Sequence, residues 1–199
     1  MKAVGITQRA VSDEHDEERD ALDVRWVEFL AVCGVVAVPL PNSAPHAVRA
    51  ARELGLAGLV LSGGGDLVAY GGTTPRRDET ERRLLRWALT GDVPVLGVCR
   101  GMQAILNHFG TSLRPVAGHV AVRHEVEFRS GGRREVNSYH RLGADVVADP
   151  LVVEAVCGPV VESVRHRDAR VVGVMWHPER EPEFAPQDVA LVRGLLEVS

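Results

Sequence analysis

The stretch Val93-Pro94-Val95-Leu96-Gly97-Val98-Cys99-Arg100-Gly101-Met102-Gln103 decides how this chain folds. Its first six residues form an apolar run of the kind buried inside a sheet. A cysteine flanked by nearby glycines follows. Met102, Ile105, Leu106 and Phe109 then recur at the spacing of one helix face. Strand, sharp turn with a nucleophile, then helix is the geometry of a nucleophile elbow. The turn lifts the thiol out of the sheet. The helix N-terminus behind it favours thiolate through its partial positive charge and free N–H groups. Cys99 therefore reads as an attacking sulfur.

The other two cysteines read as core. Cys33 ends an amphipathic pattern with Leu22, Trp26 and Phe29, and Cys157 lies in the apolar segment Val152 to Gly158. Three cysteines, an odd number, do not suggest a disulfide framework, and a reducing cytoplasm is the natural home. A length of 199 residues fits one domain over 1–199 with a sizeable core. The net charge of −4 gives no support for nucleic-acid binding. Met1 to Arg9 lacks the apolar core of a signal peptide, and no apolar run is long enough to cross a membrane.

Working outward, the first half alternates short apolar runs with helical patterns. Ala3–Ile6, Val35–Val38 and Leu59–Leu61 read as strands; Asp16–Cys33, Ala44–Leu54 and Asp78–Leu89 read as helices. This alternation predicts an α/β three-layer sandwich, a mainly parallel sheet flanked by helices. The second half differs. Val120–Val122, Val126–Phe128 and Glu135–Val136 read as short antiparallel strands. Val160–Val164 and Val171–Met175 read as a hairpin, before a last helix from about Gln187 to Glu197. This half is expected to extend the sheet and close one side of the site. In such sheets sites lie beyond the carboxyl ends of the strands, where Cys99 and Gly63-Gly64-Gly65 both fall.

A cysteine nucleophile needs a base, and the base needs an orienter. Met175-Trp176-His177-Pro178-Glu179 follows an apolar strand. In extended chain His177 and Glu179 point to the same side, so the carboxylate can hold one imidazole nitrogen and leave the other for the thiol. Leu61-Ser62-Gly63-Gly64-Gly65-Asp66 ends another strand. N–H groups there and beyond the nucleophile, for example of Gly64 and Arg100, could hold an oxyanion. A phosphate loop fits less well, because the Lys-Ser/Thr ending is missing. His119 and His124 fit no zinc spacing and lack a Cys pair, so no metal is expected. Most arginines, including Arg76, Arg77, Arg82 and Arg83, read as solvated face.

These motifs, with Arg77-Asp78-Glu79 and Val136-Asn137-Ser138-Tyr139-His140, resemble the class I glutamine amidotransferase-like hydrolases, peptidase C26-like, in the branch of gamma-glutamyl-gamma-aminobutyrate hydrolases. Gly5 to Arg9, Glu18 to Trp26 and His177 to Glu181 are also similar to gamma-glutamyl-CDP-amidate hydrolases. The resemblance covers nearly the whole chain. It implies cleavage of a linear gamma-glutamyl amide C–N bond through a thioester on Cys99, with His177 and Glu179 completing the triad. It requires neither metal nor organic cofactor. Gly65, Gln103, Asn137, Ser138, Tyr139 and His140 take the family's glutamyl-binding positions. Family subunits that feed ammonia to a synthetase usually carry Leu at Arg100, so a free-standing hydrolase of a small gamma-glutamyl substrate is favoured over a glutaminase subunit with a synthetase partner. A homodimer and a ligase of the same pathway stay open as partners. An anionic leaving group such as a nucleotide phosphoramidate would need forked donors. Arg9 follows the first strand, and Arg19 and Arg25 are expected on the next helix; these three are the candidates.

Overall fold

The computed structural model describes residues 1–12, 15 and 17–198. The chain opens with β1 (Lys2–Thr7), then a hairpin of β2 (Arg9–Ser12) and β3 (Glu18–Ala21). α1 (Val24–Val32), β4 (Val35–Leu40), α2 (Ala44–Glu53) and β5 (Leu59–Leu61) follow, then α3 (Pro75–Thr90), β6 (Val95–Val98) and α4 (Arg100–His108). The second half holds β7 (Arg114–Pro115), β8 (Val120–Phe128), β9 (Arg133–Tyr139), β10 (Leu142–Gly143), β11 (Leu151–Cys157), β12 (Val160–His166), β13 (Val171–Val174) and α5 (Pro186–Leu195).

Among the described residues one nine-stranded sheet runs β4-β1-β5-β6-β13-β12-β11-β8-β9. The first five strands are parallel, and the last four continue it antiparallel. Side chains alternate across the sheet and divide the core in two. Leu59, Leu61 and Val95 face α2, α3 and α4 through Ala47, Ala51, Leu84, Leu85, Ile105 and Leu106. Val60, Leu96, Val98 and Val174 face α1 and α5 through Trp26, Phe29, Leu30 and Val192. The α/β sandwich expected from the alternating pattern is the observed fold.

The helix expected from Asp16 is a correction. Asp16 itself lies outside the described residues, and Glu18–Ala21 is strand rather than helix. Arg19 therefore sits on β3, and only Arg25 is on α1. The helix starts at Asp23, whose carboxylate accepts the Arg25 N–H at 3.0 Å as an N-cap. Upstream, Asp20 is pinned by Asn42, which donates its backbone N–H at 2.9 Å and its side-chain amide at 2.6 Å. The ladder with β2 takes up the backbone groups that a helix would have used.

Register brings the strand ends together. Leu61 pairs with Gly97, and Val98 with Val174. The chain thus leaves the sheet at Ser62, Cys99 and Met175 at nearly one level. Gly97 and Gly101 let α4 lie close on the sheet. A Cβ at Gly101 would stand 1.9 Å from the Leu61 carbonyl oxygen, and one at Gly97 would meet Ile105 at 2.5 Å. Gly101→Ala is expected to lower unfolding free energy by about 3 kcal/mol, read from the urea midpoint. An unchanged midpoint would mean that α4 can slide outward freely.

Candidate active site

Cys99 sits between β6 and α4 with φ +52 and ψ −106, a backbone state that L residues adopt at a cost of about 1–3 kcal/mol. Its own N–H donates to the Val174 carbonyl at 2.7 Å, which clamps the turn to β13. As the N-cap residue of α4 it stands before the free N–H groups of that helix. The residue is buried, 7% exposed. At Cys33, in the core, burial pushes the thiol up to about 12.

His177 follows β13 and is buried with Glu179. Its Nδ1 lies 2.7 Å from Glu179 Oε1, so the carboxylate fixes the ring and leaves Nε2 for the thiol. Burial would lower the imidazole pKa, but hydrogen bonds to Cys99 and Glu179 and their charges outweigh it and raise the group to about 9. The ring packs against Gly63, where a Cβ would stand 2.5 Å from His177 Cε1, so only glycine fits. Asn137 grips the His177 backbone from both sides: its Oδ1 accepts the N–H at 2.9 Å and its Nδ2 donates to the carbonyl at 2.8 Å.

The Ser62–Gly65 turn is held from behind by a buried ion cluster. The Arg77 guanidinium donates to the carbonyls of Ser62 and Gly64 at 2.7 Å each and of Gly63 at 3.1 Å. In a trans peptide the following N–H points opposite to the carbonyl. The N–H groups of Gly63, Gly64 and Gly65 are therefore turned away from Arg77. Arg77 is oriented by Glu81 at 2.9 Å, and Glu81 also receives the Thr7 hydroxyl at 3.0 Å. Arg100 completes the cluster by donating to Glu81 and Asp78. Burial alone would raise the Glu81 carboxyl; Arg77 and Arg100 outweigh it and hold it below the ordinary carboxylate range. Arg77, expected on a solvated face, is 1% exposed. A signal was present: Arg77 and Glu81 fall on the helical stripe of Leu84, Leu85 and Ala88.

The remaining candidates divide. Gln103 is buried, donates to the Leu142 carbonyl at 3.1 Å, and keeps its side-chain oxygen without a protein partner. Tyr139 is exposed, with its ring edge-on to His177 at 5.7 Å and Arg180 stacked over it. Ser138 and His140 turn inward instead. Ser138 Oγ donates to the His119 carbonyl at 2.7 Å, and His140 contacts Glu162. Asn137, Ser138 and His140 are thus engaged with the protein itself rather than aimed at the thiol.

Arg9 lies across Gly64, where a Cβ would meet its Nε at 2.5 Å. It lines a cavity of about 330 Å³ together with Trp26, Ser62, Gly63, His177 and Glu179. Arg19 borders a different cavity and pairs with Glu17. Arg25 donates to the Glu179 and Glu181 carbonyls at 3.2 and 2.6 Å and stacks on Phe184. It braces the segment that carries Glu179, and its forked donors are engaged there. A larger groove of about 750 Å³ runs between α2 and α3 and includes neither Cys99 nor His177.

The family model of glutamine amidotransferase class-I matches residues 25–193. The gamma-glutamyl-CDP-amidate hydrolase of Campylobacter jejuni is 31% identical over 183 residues, which cover 89% of this chain and 90% of that one. The gamma-glutamyl-gamma-aminobutyrate hydrolase of Escherichia coli O157:H7 is 31% identical over 155 residues, covering 62% and 59% respectively. The glutaminase domain of Trypanosoma brucei CTPS with bound acivicin superposes with a TM-score of 0.76 at 15% identity, covering 100% of this chain and 95% of that one, a likeness of fold. The chain belongs to the class I glutamine amidotransferase family.

Proposed function

We propose that this chain is a hydrolase of small gamma-glutamyl amides that works through a thioester on Cys99. The carrying observation is the buried relay of Cys99, His177 and Glu179, with Glu179 2.7 Å from the imidazole and the thiol on a strained elbow. His177, raised to about 9, carries the proton that leaves the Cys99 thiol, so the sulfur attacks as a thiolate. The Cys99 sulfur attacks the gamma-carbonyl carbon, a C–S bond forms, and the carbonyl oxygen takes up charge. The N–H groups of Gly64 and Arg100 are the donors for that oxyanion. As the tetrahedral intermediate collapses, the C–N bond breaks and the His177 proton goes to the leaving nitrogen. Water then gives its proton to His177 and adds to the thioester. Breaking the C–S bond frees glutamate and returns the sulfur to Cys99.

Gly65, the Gln103 side-chain oxygen and Tyr139 are the groups left to bind the glutamyl head. Asn137, Ser138 and His140 act as supports behind them. The Arg9 cavity borders His177, and a guanidinium there supports an anionic leaving group. The Campylobacter relative, named for a gamma-glutamyl-CDP-amidate substrate and matched over 90% of its length, supports a phosphoramidate of that kind.

Three measurements test this. In a panel of gamma-glutamyl amides, wild type should release glutamate and form a glutamyl adduct on Cys99 visible by mass spectrometry, while Cys99→Ala loses about 10,000-fold in turnover. No turnover of any gamma-glutamyl amide, or ammonia release from glutamine only with an added synthetase, would sink the reading. Arg9→Ala should raise KM about tenfold for a phosphoramidate substrate and leave gamma-glutamyl-aminobutyrate unaffected. Equal effects on both would remove Arg9 from leaving-group recognition.

The third concerns pH. The folded His177 value of about 9 lies above the ordinary imidazole value of 6.5. Its contribution to stability is full below pH 6.5 and is lost as pH rises through about 9. Glu179→Gln should shift that loss to lower pH in denaturant titrations run between about pH 6 and pH 10. An unshifted profile would mean that Glu179 does not hold the imidazolium.

A further inference from the structure

A second cluster of titratable groups lies outside the thiol site, in the antiparallel half. His119 precedes β8, His124 is on β8, His140 follows β9, and Glu162 is on β12. His119, His140 and Glu162 are buried, Glu162 completely. His119 Nδ1 lies 3.1 Å and His140 Nε2 3.2 Å from the same oxygen, Glu162 Oε1. Neither pair has hydrogen-bond geometry: both ring nitrogens and both Glu162 oxygens are buried polar atoms without a hydrogen-bond partner. Four such atoms meeting at one point is unusual, because each left unsatisfied costs about 1–3 kcal/mol.

The tautomer of His140 sharpens this. Its Nδ1 lies 3.0 Å from the Leu142 carbonyl oxygen. A carbonyl can only accept, so Nδ1 carries the hydrogen. In the neutral ring Nε2 then presents a lone pair to the Glu162 carboxylate. Two lone pairs 3.2 Å apart repel unless a cation lies between or beside them. A ligating histidine whose other N–H donates to a backbone carbonyl is the usual support of a metal site. The spacing agrees as well. Ligand atoms around a tetrahedral ion with bonds of about 2.1 Å stand ~3.4 Å apart.

We propose that His119 Nδ1, His140 Nε2 and Glu162 Oε1 bind one divalent transition-metal ion, with zinc the best match to two imidazoles and a carboxylate. The three ligand atoms all lie within 4.8 Å of one another. His124 Nε2 stands 3.5 Å from the other Glu162 oxygen, on the less buried side. The ligands come from positions 119, 140 and 162, so no local zinc spacing exists for the sequence to display. The ion is structural. It ties β12 to the segment 137–140 that grips His177, since the His119 carbonyl also receives the His140 N–H at 3.0 Å.

The test uses the full chain carrying Cys99→Ala, which removes the thiol of the other site as a competing ligand. After treatment with chelator, titration calorimetry with Zn²⁺ should show one equivalent bound, and Zn²⁺ should raise the melting temperature. Co²⁺ should give the visible bands of a tetrahedral site without a sulfur-to-cobalt band. Adding His124→Ala should retain binding, and adding His140→Ala should lose it with circular dichroism unchanged. If His140→Ala fails to fold, the chelator-treated protein alone decides. No stoichiometric Zn²⁺ or Co²⁺ binding would overturn the proposal and leave a proton as the shared cation. Undiminished binding by a folded His140→Ala protein would overturn it too. A strong sulfur-to-cobalt band would overturn the ligand assignment in favour of Cys157, which lies beside His119 and His124.

Discussion

The buried pairing of Arg77 and Arg100 with Glu81 is the constraint on which the front of this site depends. An isolated buried charge is unstable; two guanidiniums around Glu81, with Asp78 at the rim, make a neutral set. Every carbonyl of the Ser62–Gly64 turn is drawn to Arg77, which obliges the N–H groups to face outward. Arg100 is the residue directly after the nucleophile, so the same cluster joins the glycine turn to the elbow. The two oxyanion donors proposed for the reaction, in the turn after β5 and at the start of α4, thus share one support. Removing either arginine would leave Glu81 underpaired, a loss of about 3–5 kcal/mol typical of broken buried pairs.

Arg100 takes on a different meaning in this light. By resemblance it is expected to mark a free-standing hydrolase rather than an ammonia-supplying subunit. In the structure its side chain touches no cavity beside His177; it lies wholly buried behind the elbow. Its chemistry is therefore that of a brace. A leucine at that position would leave Glu81 with Arg77 and the Thr7 hydroxyl, so Arg100 bears on the rigidity of the Ser62–Gly65 turn.

What the sequence made legible was local. The elbow, the His177–Glu179 pair and the glycine turn each occupy a few consecutive residues at a strand end, where backbone geometry alone fixes side-chain direction. The alternation of apolar runs and helical stripes was enough for the parallel half. What stayed hidden depends on distant partners. Asn137 reads as a ligand-facing residue until its two bonds to the His177 backbone are seen. Arg25 reads as an anion receptor until the carbonyls of Glu179 and Glu181 claim it. The helix expected from Asp16 failed for a related reason: tertiary contacts of Asp20 with Asn42 outweigh a weak periodic signal in a charge-rich segment.

The two halves of the sheet consequently do different work. The parallel strands bring the Cys99 sulfur, the His177 imidazole and the Ser62–Gly65 turn to one level. The antiparallel strands carry little of the reacting chemistry, yet Asn137 on β9 fixes the His177 backbone from the side, and the Met175 N–H donates to the Glu162 carbonyl at 2.8 Å. His177 is thus held through Glu179 at its ring, Gly63 at its face, and Asn137 at its backbone. An imidazole held on three sides has little freedom left to lose, which suits it to the proton transfer within about 3 Å proposed for it. The same restraint explains why so much of the Asn137–His140 segment turns inward: residues that lock a catalytic base in place are not free to bind what it acts on.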